Sequence, residues 1–193
     1  MDILKTLEED VTYEVLVSTA DGDNNINIRP FGIRYADNHF ILNLYPNKTL
    51  NNINKSGNFT IYFTQDPLVF TKALLSDLTV EELSGIVNCA VECGVTEIES
   101  DFIEDIYGKN LTTKIIAKAN NLIEYNDRLP IINRATNNII ELLVDFSRYH
   151  FMDKDARIIF NKKLELTENI IKKTGNKKHS QSLKMLKKEL KQE

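Results

Sequence analysis

Two short segments in the first third of the chain combine residue types that could hold a phosphorylated ligand. Residues 45–52 have the sequence Tyr-Pro-Asn-Lys-Thr-Leu-Asn-Asn, which joins a cation, a hydroxyl group and several amides at a predicted helix start. Unpaired backbone N–H groups at a helix N-terminus and the charge of Lys48 both favour an anion. The segment predicts phosphate binding, although a chain with 21 asparagines could also place an ordinary polar loop here.

The other segment, residues 27–33, has the sequence Asn-Ile-Arg-Pro-Phe-Gly-Ile and interrupts a predicted strand. Pro30 has no backbone N–H to donate to a neighbouring strand, so the strand must have an edge, a bulge or a break there. Gly32 weakens the strand at the same place. Backbone groups are then left for something other than a neighbouring strand, which makes this segment a second candidate for ligand binding.

Other chemistries find little support in the sequence. It contains no G-x-S-x-G motif, Walker loop, dinucleotide-binding glycine fingerprint or H-E-x-x-H motif. Its three histidines lie far apart, at His39, His150 and His179. Cys89 and Cys93 belong to a stretch that alternates apolar and polar residues as a strand does, which predicts buried thiols and no metal site.

Period-two alternation predicts a series of antiparallel strands that would position both segments. The predicted strands cover residues 13–19, 26–35, 40–45, 59–64, 87–95 and 112–124, and the stretch 100–110 is expected to be acidic and solvated. Short turns join most of them, and a short helix is expected over residues 49–54. Such a succession is typical of an antiparallel barrel or sandwich.

The remaining elements are predicted to be helical. Leu68–Leu75 is apolar enough for a buried helix or irregular core, and Thr79-x-x-Glu82 fits a capping box. Beyond Pro130 the apolar period changes to that of amphipathic helices, the first starting near Asn133. The second is expected to stop at a left-handed Gly175, and the last to be capped by Ser180. The chain is thus predicted to be mainly β (α+β), with a barrel domain over 1–130 and C-terminal helices over 131–193.

Charge also divides along the chain, with the change of sign placed after residue 152. Residues 1–152 carry 12 Lys and Arg against 22 Asp and Glu, a net −10, whereas residues 153–193 carry 12 against 6, a net +6. Twelve cations in the tail could contact nucleic-acid phosphates. Its leucine stripes need burial, however, so docking on the acidic body of the same or a partner subunit is favoured and nucleic-acid binding is unlikely. No transmembrane stretch or secretory signal is recognisable, so we expect a cytoplasmic protein without membrane contact.

Several short motifs, in this order, resemble an archaeal family of flavin-reductase-like split β-barrel proteins. Four lie in the barrel half and two in the helices: Tyr13-Glu14-Val15-Leu16-Val17-Ser18-Thr19, Asn27-x-x-Pro30-x-Gly32, Lys48-Thr49-x-x-Asn52, Thr64-x-Asp66-Pro67-x-x-Phe70, Asn133-Arg134-Ala135 with Glu141, Val144 and Arg148, and Lys172-Lys173-Thr174-Gly175. The resemblance covers about residues 10–190.

The resemblance implies an FMN-binding split barrel, with FMN held non-covalently at a homodimer interface. Lys48, Thr49 and Asn52 would then hold the FMN phosphate, and the flavin ring would be lined by Asn27, Arg29, Pro30, Phe31 and Gly32. Two positions depart from the family pattern. Pro46 and Asn47 replace small residues before the Lys-Thr pair, and Arg29 replaces a small apolar residue, where it could block the ring or place a cation near it. Asn47, which directly precedes Lys48, and Arg134, on a helix packed over the site, are further candidates for cofactor binding.

The leading hypothesis is therefore an FMN-binding flavoprotein, such as a flavin reductase or a small redox enzyme with a small-molecule redox partner. In such a site the flavin carries the hydride or electron chemistry, so no acid–base pair need be visible in the sequence. The alternative is a binding or carrier protein for FMN or another phosphorylated ligand, without turnover. The same residues would serve both functions, so the sequence does not separate them.

Overall fold

The computed structural model describes residues 3–23, 25–83, 85–105, 108–125, 132–146 and 149–191. Its strands are β1 (Val11–Ala20), β2 (Ile26–Ala36), β3 (His39–Leu44), β4 (Asn58–Phe63), β5 (Cys89–Asp105) and β6 (Gly108–Glu124). Its α-helices are α1 (Lys48–Ser56), α2 (Pro67–Leu75), α3 (Val80–Leu83), α4 (Arg134–Phe146), α5 (Lys154–Thr174) and α6 (Lys177–Glu189). Short 3₁₀ turns cover Ile3–Lys5 and Tyr149–Phe151.

The strands close into a barrel in the order β1-β2-β3-β6-β5-β4, with β4 returning to β1. Alternate residues point to opposite faces of a strand, and the fully buried row Val17, Ile61 and Val91 runs across three neighbouring strands. This confirms the predicted mainly-β fold, an antiparallel barrel with helices after it.

Residues of helices α2 and α3 form an apolar cluster with residues of the strands. Leu16, Tyr62 and Ala90 form the row next to Val17, Ile61 and Val91, and all three belong to this cluster. Val69 and Ala73 of α2 and Leu83 of α3 pack in the same cluster, as does Ile28 of β2. This contact places α2 beside the strand that carries the Asn-Ile-Arg-Pro-Phe-Gly segment.

Local signals explain where the barrel helices begin and end. The Asp66 side chain accepts a hydrogen bond from the backbone of Leu68 and caps α2, which is confirmed as a helix. The predicted capping box is confirmed, since the backbone N–H of Thr79 donates to Glu82 and that of Glu82 donates to Thr79 Oγ1. Gly57 ends α1 with φ +67°, a left-handed conformation that favours glycine.

The β5–β6 hairpin extends further than the sequence predicts. The expected strand ended near Val95, but paired residues continue to Asp105 and Gly108. Lys114 Nζ contacts Glu99 Oε2 at 3.1 Å, and Ser100 Oγ lies 2.9 Å from Thr113 Oγ1. Such cross-strand pairs stabilise a strand that has many charged residues. The alternation of apolar and polar residues does not reveal them, so it predicted too short a strand.

The chain divides into two compact units, one of Met1–Glu9 and Glu14–Ile131 and the other of Asp10–Tyr13 and Ile132–Glu193. The core of the second unit joins residues of three helices, namely Ala135, Ile139, Leu142, Phe160, Ile171, Leu183 and Leu186. Asn133 connects its parts: Nδ2 donates to the carbonyl groups of Thr12 and Thr174, and Oδ1 accepts from the backbone of Thr136 at the start of α4. Packing of the helices on the barrel or at a dimer interface stays a prediction.

Two predicted helix signals in this unit are wrong. Gly175 has φ −106°, so it is extended and not left-handed. A Cβ there would lie 3.0 Å from the Ile171 carbonyl oxygen and from His179 Cβ, so glycine permits close approach of α5 and α6. Helix α6 is capped by Asn176, not Ser180, because the side chains of Asn176 and His179 complete a reciprocal capping box.

Among the described residues, we find no helix with the length and apolar character needed to cross a membrane. Arg148, a member of the helical motif with Glu141, is outside the described residues. Glu141 and Asp145 of α4 face Lys163 of α5, whose Nζ lies 3.9 Å and 2.6 Å from their carboxylate oxygens.

Candidate functional site

The two segments singled out in the sequence meet at one cleft of about 310 Å³. One side comes from β2 and the other from the connection between β3 and α1, with one residue added by α2. The lining residues are Asn27, Arg29, Pro30, Phe31, Asn47, Lys48, Thr49 and Leu74. The cleft thus joins polar groups at a helix start to an apolar wall formed by Pro30, Phe31 and Leu74.

The N-terminus of α1 forms the polar end of this cleft. Asn47 is extended (φ −158°, ψ 178°), and its side chain accepts a 2.9 Å hydrogen bond from the backbone of Leu50. The backbone carbonyl of Asn47 accepts from Asn51. The first N–H groups of a helix have no carbonyl partner within it, so those of Lys48 and Thr49 are directed at the start of the helix. Lys48 is exposed and adds a full positive charge there.

Two buried hydrogen bonds hold α1 against the barrel. Asn27 Nδ2 of β2 donates to Thr49 Oγ1 at 2.9 Å, and Asn52 Nδ2 donates to Thr19 Oγ1 of β1 at 3.1 Å. All four side chains are buried. The two bonds lie about one helical turn apart and attach the first two turns of α1 to two different strands.

Arg29 connects β2 to the end of α2. Its Nη1 donates to the carbonyl groups of Ile28 (2.8 Å), Ala73 (3.3 Å) and Ser76 (3.2 Å), and its Nη2 donates to Asp77 Oδ1 at 2.7 Å. The guanidinium therefore bonds to the C-terminal end of a helix, where the partial negative charge of the last carbonyls favours a cation. Its side chain is 30% exposed.

The charges at the cleft are mixed. The hydrogen bond from Arg29, and then the positive charge of Arg29, hold the pKa of the Asp77 carboxyl below its ordinary value, and Lys48 acts in the same direction. Hydrogen bonds from the backbone and side chain of Asn25 lower the pKa of Asp21, and the positive charge of Lys48 lowers it further. Both carboxylates are thus ionised at neutral pH, and they temper the positive potential around Lys48.

Seven of the ten predicted site residues line the cleft, and three do not. Asn52 is 3% exposed and bonds to Thr19, so the structure does not place it with Lys48 at the surface. Gly32 is not among the lining residues. It directly precedes Ile33, the first residue of β2 that pairs with β3. Arg134 begins α4 in the second unit, and its proximity to the flavin stays a prediction.

Leu74 is the lining residue that the sequence analysis missed. It is 65% exposed on α2, whereas Val69 and Ala73 of the same helix are buried. Leu75 next to it is exposed as well, and neighbouring exposed apolar residues are a signal of a ligand or partner surface. That signal becomes visible only when the buried face of α2 is known.

A second cleft, of about 360 Å³, lies elsewhere on the barrel and differs in chemistry. Its described lining residues include no lysine or arginine, and Glu92 contributes a carboxylate. Hydroxyl and amide side chains make up most of the rest, among them Ser18, Thr60 and Asn120. Without a cation it does not suit a phosphate, so the cleft at Lys48 remains the candidate site.

The two cysteines are buried and free, as predicted. Burial raises the pKa of both Cys89 and Cys93 to about 12, and the Glu124 charge adds to the effect at Cys89. Both thiols therefore stay protonated at neutral pH, when only a thiolate would act as a nucleophile. Among the described residues, no three His, Cys, Asp or Glu side chains come together as they would around a metal ion.

Comparison with known proteins reveals both a family and a fold. Residues 13–121 match the family model "Protein of unknown function (DUF447) N-terminal domain", and residues 133–188 match the model "Protein of unknown function (DUF447)". An FMN-bound protein of Methanosarcina mazei that carries the DUF447 model is 18% identical. Its match covers 97% of this chain and 99% of that chain with a TM-score of 0.53, which shows a common fold.

Weaker likenesses extend to nitrilotriacetate monooxygenase component B of Bacillus cereus (13% identity, 69% of this chain, 80% of that chain, TM-score 0.45). Flavoredoxin of Methanosarcina acetivorans is similar at 14% identity over 67% of this chain and 77% of that chain, with a TM-score of 0.44. The two family models together match most of the chain. The chain therefore belongs to the DUF447 family, as the motifs in its sequence had suggested.

Proposed function

We propose that this protein binds FMN non-covalently in the cleft between β2, the start of α1 and α2. The observation that carries the proposal is the arrangement of that cleft, which has a cationic helix start at one end and an apolar wall at the other. FMN has the matching arrangement, a phosphate at one end and a flat aromatic ring at the other. The FMN-bound protein of Methanosarcina mazei, with the same fold and family model, supports this choice of ligand.

At the polar end, Lys48 and the first backbone N–H groups of α1 would hold the phosphate. The Thr49 hydroxyl accepts a bond from Asn27, and its own proton remains available for a further acceptor. Because Thr49 is only 2% exposed, we assign it mainly to fixing the helix start and Lys48 to the phosphate itself.

At the apolar end, the flat ring would lie against Pro30, Phe31 and Leu74. A volume of about 310 Å³ is at the small end of the range for ligand clefts, roughly 300–1,000 Å³. Backbone groups next to Pro30 and Gly32, which precede the part of β2 that pairs with β3, would contact the ring edge. When bound, FMN would supply hydride or electron transfer, and the protein would supply its placement and electrostatic environment.

We further infer a homodimer with the cleft at the interface. The support comes from the exposed apolar side chains on α2 beside the cleft. Leu75 is 77% exposed and Leu74 65% exposed, and Tyr45, which precedes the polar segment, is exposed as well. Apolar residues gathered at the rim of a ligand cleft are favourable for burial by a partner. A second subunit would also cover a ring that one chain leaves open on one side.

Redox turnover is the finer part of the proposal. We propose a small FMN-dependent oxidoreductase, with a flavin reductase as the first activity to assay, and non-catalytic binding as the outcome to distinguish from it. Reduction of bound FMN would be followed anaerobically with NADH, NADPH and a reduced deazaflavin as donors. Fast reduction by any of them supports an enzyme, whereas slow reduction by all three supports a binding or carrier protein.

Comparing FMN with riboflavin tests the binding site directly, since riboflavin lacks only the phosphate. In Lys48→Ala, FMN affinity should fall about tenfold because a charge-assisted contact is lost. Riboflavin affinity should be unchanged. Lys55→Ala is the matched control, because Lys55 is an exposed lysine in the last turn of the same helix. Quenching of flavin fluorescence gives both affinities. A wild-type protein that binds neither flavin, or a Lys48 variant that binds FMN normally, would contradict the assignment.

A further inference from the structure

Arg29 lies in the candidate site but is bonded to the protein. Both of its Nη atoms donate to protein acceptors, which are three carbonyl oxygens and Asp77 Oδ1. Contact between a ligand and Nη1 would compete with the three bonds that this atom makes to carbonyl oxygens. The residue before Pro30 is therefore not a loose cation over the ring, and its placement suggests a different role.

The bonds of Arg29 concentrate on the last turn of α2 and the residues after it. Ala73 belongs to α2, Ser76 ends it, and Asp77 follows. The backbone N–H and the Oγ of Ser76 both donate to the Lys72 carbonyl group, so Arg29 supplies partners for carbonyl groups that this cap does not reach. A single side chain of β2 thus fastens the end of α2.

This contact determines the separation of the two apolar sides of the cleft. Arg29 directly precedes Pro30 and Phe31, which form the β2 side. Ala73, one of its acceptors, directly precedes Leu74, which forms the α2 side. Because the guanidinium connects the backbone of both sides, movement of Leu74 away from Pro30 would require breaking the bonds of Arg29.

We propose that Arg29 is a positioning residue that fixes α2, and through Leu74 the width of the ring-binding part of the cleft. The inference rests on the proposed FMN site and adds to it. The flat part of the ligand is selected by a slot whose width is held by Arg29 and Asp77, and the phosphate is held separately by Lys48. This role depends on the bonds from Arg29 to the end of α2, and contact between Arg29 and the ligand is not part of it.

Three variants separate this role from direct contact with the flavin. Arg29→Ala removes all four bonds. Arg29→Lys keeps the charge but not the planar fork that bonds to several acceptors at once. Asp77→Ala removes the outer acceptor of Arg29 without changing any lining residue of the cleft. Glu81→Ala, which removes an exposed carboxylate from nearby α3, is the matched control for Asp77.

The affinities for FMN and riboflavin are measured for each variant, together with the absorption spectrum of the bound flavin. Positioning predicts that Arg29→Ala weakens both ligands about tenfold and leaves their affinity ratio unchanged, because the ring side is altered and the phosphate side is not. Arg29→Lys should resemble Arg29→Ala. Asp77→Ala should weaken the binding of both flavins a few-fold and shift the absorption spectrum of the bound flavin in the same direction as Arg29→Ala does. Glu81→Ala should change neither the affinities nor the spectrum.

Direct contact predicts the opposite pattern. Arg29→Lys would then bind almost as the wild type does, and Asp77→Ala would bind as well or more tightly because the cation is freed from its partner. Either result would overturn the positioning role.

Amide hydrogen exchange in the ligand-free protein provides an independent measurement. Arg29→Ala should speed exchange over the last turn of α2, at the backbone N–H groups near Ala73 and Ser76, and unchanged exchange there would also overturn the inference. If the wild type binds neither flavin, the proposed function fails, and the exchange data still decide whether Arg29 holds α2.

Discussion

Polar residues around the cleft divide into those that bond to the protein and those available to a ligand, and burial separates the two groups. Asn27, Thr49 and Asn52 are buried and form hydrogen bonds inside the barrel unit. Lys48 is exposed, and Asp21 and Asp77 influence it only through charge. The motif Lys48-Thr49-x-x-Asn52 therefore has two roles. Thr49 and Asn52 fix the start of α1 on the barrel, and Lys48 would contact the phosphate.

The helical period explains why the sequence alone could not show which residues of this motif are buried and which are exposed. Thr49 and Asn52 are three residues apart and share the face of α1 that packs on the barrel. Lys48, at the first position, points elsewhere. Residue types and spacing predicted the three residues as one phosphate site, because the direction of the buried face depends on how α1 packs on β1 and β2. That packing is a long-range property that the local sequence does not contain.

The raised pKa values of Cys89 and Cys93 predict how these thiols react and how the stability of the protein depends on pH. Burial raises the pKa of both thiols to about 12, so they should react with a disulfide reagent at pH 8 only when the protein unfolds. The unfolded chain releases these protons near its ordinary thiol pKa, roughly 8.5, and the folded chain does not. The free energy of unfolding should therefore fall as pH rises from about 9 towards 12, by up to about 1.4 kcal/mol per pH unit for each thiol.

Stopped-flow labelling with and without guanidinium measures the thiol reactivity. Urea unfolding at several pH values, compared with a Cys89→Ala, Cys93→Ala double variant, isolates the thiol contribution to the slope. Rapid labelling of the folded protein at pH 8, or an equal slope in the double variant, would contradict the burial argument.

Among the elements, α1 depends most on side-chain hydrogen bonds for its position. Asn52→Ala removes the donor to Thr19 and leaves a buried hydroxyl without that partner, which should lower the free energy of unfolding by about 1–3 kcal/mol. Asn54→Ala, at an exposed position of the same helix, should change it by less than about 0.5 kcal/mol. Urea unfolding of the full chain gives both values. Equal effects of the two substitutions would show that the bond to Thr19 contributes nothing to stability.

Elements with a strong apolar period were predicted well, and those decided by a contact between elements were not. Alternation located six strands because one face of each is buried in the barrel. The cap of α6 was misplaced because Asn176 and Ser180 are both good N-cap residues. The bonds that Asn176 accepts from the backbone of Lys178 and His179, and the bond from its own N–H to the His179 side chain, show that the helix starts at Asn176. Leu74 was missed for a similar reason, since its exposure depends on which side of α2 packs on the barrel.

For the molecule as a whole, charge changes sign along the sequence. The acidic residues 1–152 include the barrel strands and α4, whereas the basic residues 153–193 lie in the second compact unit, and each unit has its own apolar core. Docking of the basic helices on an acidic body stays a prediction. Opposite net charges of −10 and +6 would make such docking weaker at high salt, since surface charges are screened within about 10 Å at 0.1 M.

The inferred homodimer yields a prediction at this scale. Leu75→Glu places a charge among the exposed apolar residues beside the cleft, so it should shift a dimer to monomer and weaken flavin binding. Leu166→Glu is the control, because Leu166 is 63% exposed on α5 in the other unit. Light scattering after size-exclusion chromatography gives the mass. A monomeric wild type, or dissociation by Leu166→Glu but not by Leu75→Glu, would place the interface elsewhere or remove it.

The attachment of α1 at two successive strands has a consequence for recognition kinetics. A helix start that is already fixed in the free protein has no loop to order when a ligand arrives. The entropic cost of binding is then confined largely to the ligand, and little of the intrinsic affinity is lost to rearrangement of the site. Association should therefore be a single step limited by encounter, and differences in affinity among related ligands should lie in their dissociation rates.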